Sequence, residues 1–161
     1  MPATYVPIAT QVLGSDASSV TFSSIPATYT DLVLVFSARA VSGGPFSVTA
    51  RINGDTANYS DTYLTGDGTT ATSARTTGES SLNPFNISSG AFGTYSFFLM
   101  NYSNTTTFKT LLGRAGSANY RTSAFVELWR STAAITTFLV SVAGGNFITG
   151  STFTLYGIKA A

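Results

Sequence analysis

Cysteine and histidine are both missing from the 161 residues. Without cysteine there is neither a disulfide framework nor a thiolate nucleophile. Without histidine the commonest metal ligand and the natural proton carrier near neutrality are gone. Charge is scarce as well: 9% of the residues are Asp, Glu, Lys or Arg, against about 25% in ordinary soluble domains. Eight basic and seven acidic side chains leave a formal charge of +1. That is too little for the basic footprint that gathers phosphates, so no nucleic-acid partner is expected. It also weakens electrostatic attraction to a membrane. No run approaches the ~18 consecutive apolar residues of a membrane-spanning helix. The opening Met1-Pro2-Ala3-Thr4 lacks the basic region and apolar core of a signal peptide, so none is expected.

What is present is apolar and hydroxylated. Hydrophobic residues make up 43% of the chain, enough for a real core in a single domain of this length. There are 26 Thr and 21 Ser, so hydroxyls rather than charges must keep the surface wet. A surface with so few charges is sticky, which suits a molecule partly covered in an assembly. Eight Tyr and twelve Phe exceed what a small core needs and favour interfaces.

The organising stretch is Asp31–Val41, with apolar Leu32, Val33, Leu34, Val35 and Phe36 on both faces and no Gly or Pro. It predicts a strand buried through its first half. Around it lie further short runs of period two. Val20 and Phe22 share a face, as do Phe46, Val48, Ala50 and Ile52. Tyr59–Leu64, Phe92–Tyr102, Thr107–Gly113, Phe125–Arg130, Ile135–Val142 and Ser151–Ile158 continue the series. Phe108 and Leu112 fall on one face; Val126 and Leu128 fall opposite Phe125, Glu127 and Trp129. Residues 65–90 have few large apolar side chains and read as a functional excursion or a concealed strand at Leu82, Phe85 and Ile87. About nine to eleven strands with Gly/Ser/Asn turns predict an all-β fold: an antiparallel two-sheet sandwich, jelly-roll-like. Residues 1–13, with Pro7, read as an N-terminal arm or edge strand, and 14–161 as a single β-sandwich domain. Such an arm can add a strand to a neighbour's sheet, and deleting residues 1–8 would then leave the sandwich folded.

Little in the chain points to chemistry. Asp55 and Asp61, near Asn53 and Asn58, lack calcium-loop spacing and read as turn caps. Glu79 and Glu127 are the only glutamates; with the five aspartates they are the only credible acids for sugar hydrolysis, which needs two of them across a groove. There is no Gly-x-Ser-x-Gly elbow. Trp129, beside Glu127 and Arg130, reads as a core or subunit-contact residue ahead of a sugar platform. Tyr59, Tyr63, Tyr95, Tyr102 and Tyr120 pose the same choice, and Arg114 and Arg121 flank a loop where they can meet carboxylates. Asn58, Asn86, Asn101 and Asn104 begin glycosylation sequons at a density expected by chance in so hydroxyl-rich a chain. No catalytic residue, cofactor or metal is assigned, and an enzyme is not expected.

Four stretches carry a resemblance: Val20–Leu34, Ile52–Ser60, Leu128–Ile135 and Gly150–Ile158. They resemble a family of small β-rich virion proteins of tailed bacteriophages, notably marine and cyanobacterial phages. The resemblance implies a structural protein of the particle, chiefly a head decoration (cement) protein. Such a protein sits on the outer surface of the phage head and clamps neighbouring subunits of the major capsid protein, often as a trimer. The alternative is a tail- or fibre-associated module that binds host glycans through loops such as 65–90 or 114–124.

Overall fold

The computed structural model describes residues 4–159, which form twelve strands. They are β1 (Tyr5–Val12), β2 (Ser19–Phe22), β3 (Asp31–Ala38), β4 (Phe46–Ile52), β5 (Tyr59–Gly66), β6 (Ala71–Glu79), β7 (Leu82–Ile87), β8 (Gly93–Leu99), β9 (Lys109–Ser117), β10 (Arg121–Trp129), β11 (Phe138–Val142) and β12 (Thr152–Ile158). Eight build one sheet in the order β1-β12-β3-β8-β9-β10-β5-β6; four build the other in the order β2-β11-β4-β7. Every ladder is antiparallel. The expected two-sheet antiparallel sandwich is therefore present.

The strand count exceeds the expectation because residues 65–90 hold two strands. β7 uses the apolar positions Leu82, Phe85 and Ile87, all buried. β6 was invisible because none of its side chains is buried; backbone pairing with β5 from Tyr59↔Glu79 to Gly66↔Ala71 holds it in place. At the other edge, Tyr5–Val12 pairs with β12 of its own chain. Residues 1–3 of the N-terminal stretch lie outside the described residues.

The period of two decides what faces inward. β3 buries Leu32, Leu34, Phe36 and Ala38 in the core, and Val33 on the other face. The opposing sheet contributes Val20, Phe22, Val48, Ala50, Ile52, Phe138 and Val140. Register aligns Phe153, Phe36 and Tyr95 in one row across β12, β3 and β8. The Phe36 ring stacks on both neighbours, at 4.9 Å and 4.8 Å between centroids. In the next row a glycine does the same for strands that are not neighbours. Gly113 lies between Phe97 and Phe125, and those two rings meet edge to face at 5.3 Å. A Cβ at Gly113 would stand 2.1 Å from the Phe125 ring, so only glycine leaves room for that contact.

Most of the aromatic surplus goes into this interior. Tyr59, Tyr95, Tyr102 and eight of the phenylalanines are buried. The expectation that aromatic excess marks interfaces is corrected accordingly: a core between two sheets of unequal size takes more rings than a symmetric small sandwich.

Candidate functional site

Across the inner face of the large sheet the register runs from apolar to polar. One row reads Leu32, Leu99, Leu111, Glu127, Asp61, Thr76 from β3 to β6. Another reads Phe36, Tyr95, Ala115, Ser123, Thr65, Thr72. The change falls on β10 and β5, where β7, the edge of the small sheet, is the strand packed above. β6 projects past that cover.

A cavity of about 190 Å³ lies where the cover stops. Asp61, Tyr63 and Thr65 of β5 and Thr76 and Glu79 of β6 line it, together with Phe85 and Asn86 of β7 and Arg121 at the start of β10. Asp61 is 4% exposed. Its Oδ1 accepts a hydrogen bond from the Thr76 hydroxyl, and Oδ2 has no hydrogen-bond partner among the described residues. Thr65 and Ser123 bond each other at 2.8 Å. The Arg121 guanidinium lies 4.3 Å from the Tyr120 ring centre, and its Nε is buried with no hydrogen-bond partner among the described residues.

Glu127 sits directly across the ladder from Asp61. It is fully buried, and neither carboxylate oxygen has a hydrogen-bond partner among the described residues. Burial first, and the negative charge of Asp61 second, push its pKa up to about 9. The side chain is therefore neutral at pH 7. Three of the acids named from the sequence thus converge: Asp61 and Glu79 line the cavity, and Glu127 lies behind Asp61. General acid catalysis requires the proton donor to reach the substrate. Glu127 has no exposed oxygen through which to deliver one. The groups that touch the cavity are suited to holding hydrogen-bonding ligands.

Other sequence candidates lie elsewhere. Asp55 is a cap, accepting from the Ala57 N–H at 3.1 Å and the Trp129 Nε1–H at 2.8 Å. Those bonds, the indole's first, lower its pKa. Asp61 is no turn cap, since its side chain points inward from mid-strand; reading it beside Asp55 in a turn was incorrect. Trp129 is 2% exposed and belongs to the core. Asn53 caps the chain at Thr136 and Thr137. Tyr59 is buried, with its hydroxyl on the Ile52 backbone. Among the described residues no three acids, His or Cys are grouped so as to hold a metal ion.

A second candidate surface is the outer face of the large sheet. One row reads Tyr156, Val33, Phe98, Leu112, Val126, Thr62, Arg75; the next reads Thr154, Val35, Ser96, Arg114, Ala124, Leu64, Ser73. Val35, Leu64, Leu112 and Val126 are 37–56% exposed, and Met100 is 47% exposed. A shallow depression of about 730 Å³ runs over Phe98, Met100, Leu112, Val126 and Leu64, with Arg114 in its wall. The sequence pattern could not tell which face of β9 and β10 was inner. Val126 and Leu128 are as apolar as Phe125 and Trp129, yet it is the latter pair that is buried.

The fold defines the class: a two-sheet antiparallel β-sandwich with a polar cleft under one end and an apolar outer face. Set against known proteins, the chain matches no family model and no curated protein.

Proposed function

We propose that this protein is a structural component of a tailed-phage particle, a head decoration protein that docks on the major capsid lattice through the outer face of its large sheet. The observation that carries the reading is that face: exposed Leu112, Val126, Leu64 and Met100 along one depression, with exposed Val35 farther along the sheet. Scattered exposed apolar residues are ordinary, whereas a continuous patch marks a contact surface. The two central rows contain Arg75 and Arg114 and no carboxylate, so the complementary surface is apolar with acidic groups at its margin. The resemblance of Val20–Leu34 and Gly150–Ile158 to phage virion proteins supplies the identity of that surface. Clamping of adjacent capsid subunits, copies associated as trimers, and a position on the outer head surface belong to the same reading. So does a role in binding rather than turnover.

A jelly-roll reading of the sandwich is supported by strand order. Omitting the consecutive pairs β5–β6 and β9–β10 leaves β1-β12-β3-β8 facing β2-β11-β4-β7, two sheets of four strands in jelly-roll alternation. The omitted pairs extend one sheet and thereby enlarge its outer face. The apolar docking rows cross both of them.

The test is a double substitution, Leu112→Asp with Val126→Lys, which sets opposite charges across the β9–β10 ladder. Both sites are about half exposed, so stability is expected to change by no more than about 1 kcal/mol in total. Occupancy on particles, counted by electron microscopy, is expected to fall at least about tenfold. Undiminished occupancy would refute the docking face. A handful of copies at the tail, in place of many on the head, would replace decoration with the tail- or fibre-associated reading.

A further inference from the structure

We propose that the cleft between β5, β6 and β7 is a binding site for a single neutral sugar residue, gripped by Asp61 and Glu79 as hydrogen-bond acceptors and by Arg121 as donor. This site is on the opposite face of the large sheet from the docking rows, and it stands whatever that outer face docks on.

Three observations combine. First, the cavity of about 190 Å³ has room for about six waters at liquid density, which suits one small ring rather than an extended ligand. Second, its wall offers unused bonding capacity of both kinds. Asp61 keeps a free Oδ2 beside the oxygen taken by Thr76. The Glu79 carboxylate makes no hydrogen bond among the described residues. Arg121 lines the same wall, and its terminal guanidinium N–H groups make no hydrogen bond among the described residues. Third, Tyr63 brings a ring to the same wall, an apolar surface for the C–H face of a sugar.

The donor set discriminates among ligand classes. A metal cation is opposed by the guanidinium, and an inorganic anion by the two carboxylates. An amine satisfies the acids and leaves the terminal N–H groups of Arg121 without an acceptor. A zwitterion matches both signs, but each of its charges must leave water, at several kcal/mol per ion. A hydroxyl loses only ~1–3 kcal/mol on the same transfer, and it donates to a carboxylate while accepting from a guanidinium. A ring carrying several hydroxyls therefore meets both the acceptors and the donor of the wall without taking an ion of its own out of water.

The experiment is ligand-observed NMR and calorimetry on the full chain. The probes are the methyl glycosides of glucose, galactose, mannose and N-acetylglucosamine, each tested in parallel with calcium chloride, sodium phosphate and glycine. At least one glycoside is expected to bind. Glu79→Gln and Arg121→Gln are each expected to weaken it about tenfold or more; the melting temperature should stay unchanged for Glu79→Gln and fall by no more than about 4 °C for Arg121→Gln, which also loses its contact with the Tyr120 ring. Arg114→Gln, on the outer face, is expected to leave binding unaltered. The proposal is overturned if no glycoside binds, if calcium, phosphate or glycine binds in place of the sugars, or if both cleft variants bind the sugar as the parent does.

Discussion

Glu127→Gln is expected to remove most of the loss of stability that the parent chain suffers as pH rises from about 5 to about 9. In the unfolded chain this carboxyl ionises near 4.5; in the folded chain burial and the Asp61 charge hold it protonated to about 9. Between those values the native state binds a proton that the unfolded state does not, so stability falls with pH. The slope is at most about 1.4 kcal/mol per pH unit. The contribution is fully present below the lower value, shrinks through the window, and is gone above the upper one. Glutamine keeps the shape and cannot ionise. Urea unfolding at about pH 5, 7 and 9 measures the effect. The parent should lose ground at each step and the variant much less; parallel curves would mean that Glu127 is charged in the folded chain.

Phe36→Ala is expected to cost about 3–5 kcal/mol. Its ring is 1% exposed and packs against Tyr95 and Phe153 at 4.8 and 4.9 Å, with Phe85, Phe97 and Phe147 at 6.2–6.5 Å. These partners come from both sheets and from the segment after β11, so the void left by alanine cannot close by one strand shifting. Phe108→Ala, at a ring 53% exposed, removes the same atoms and should change stability by no more than about 0.5 kcal/mol. The denaturation midpoints of the two variants, at constant slope, measure the contrast. A loss below about 1 kcal/mol at Phe36 would show that the two sheets are not locked through that ring.

Both experiments bear on how the scaffold supports the apolar outer rows and the cleft. The outer rows stay level only while the inner rows of the same strands remain clamped, because each strand carries one of each. Polar groups at β5 and β10 weaken that clamp locally, which is the cost of having a cleft there at all. The apolar rows of β3, β8 and β12 supply the compensating burial.

Several elements were legible because their signal is local. Phe46, Val48, Ala50 and Ile52 alternate cleanly, and all but the first are fully buried. Leu82, Phe85 and Ile87 flagged β7 within an otherwise polar stretch. β6 was not legible: Ala71–Glu79 is exposed along almost its whole length, so no apolar period exists to detect. The cleft was half legible. Glu127 was seen on one face with Phe125 and Trp129, and Glu79 was noted as one of two glutamates. Asp61 was grouped with Asp55 because both neighbour asparagines in the chain. Their separation into a cap and an inward strand residue depends on where β5 begins, which the turn at Asn53-Gly54 does not specify.

Composition and the period of two, then, were enough to determine an all-β chain without cysteine or histidine chemistry, with its short strands largely in place. Each strand's alternation is a property of neighbouring residues. Which strands pair, which of two apolar faces is covered, and where the cover ends depend on contacts between residues such as Leu32 and Leu99, or Glu127 and Asp61. No local pattern encodes those contacts. Only the assembled sheets, one of eight strands and one of four, leave apolar side chains outside and carboxylates inside, because four strands cannot cover eight.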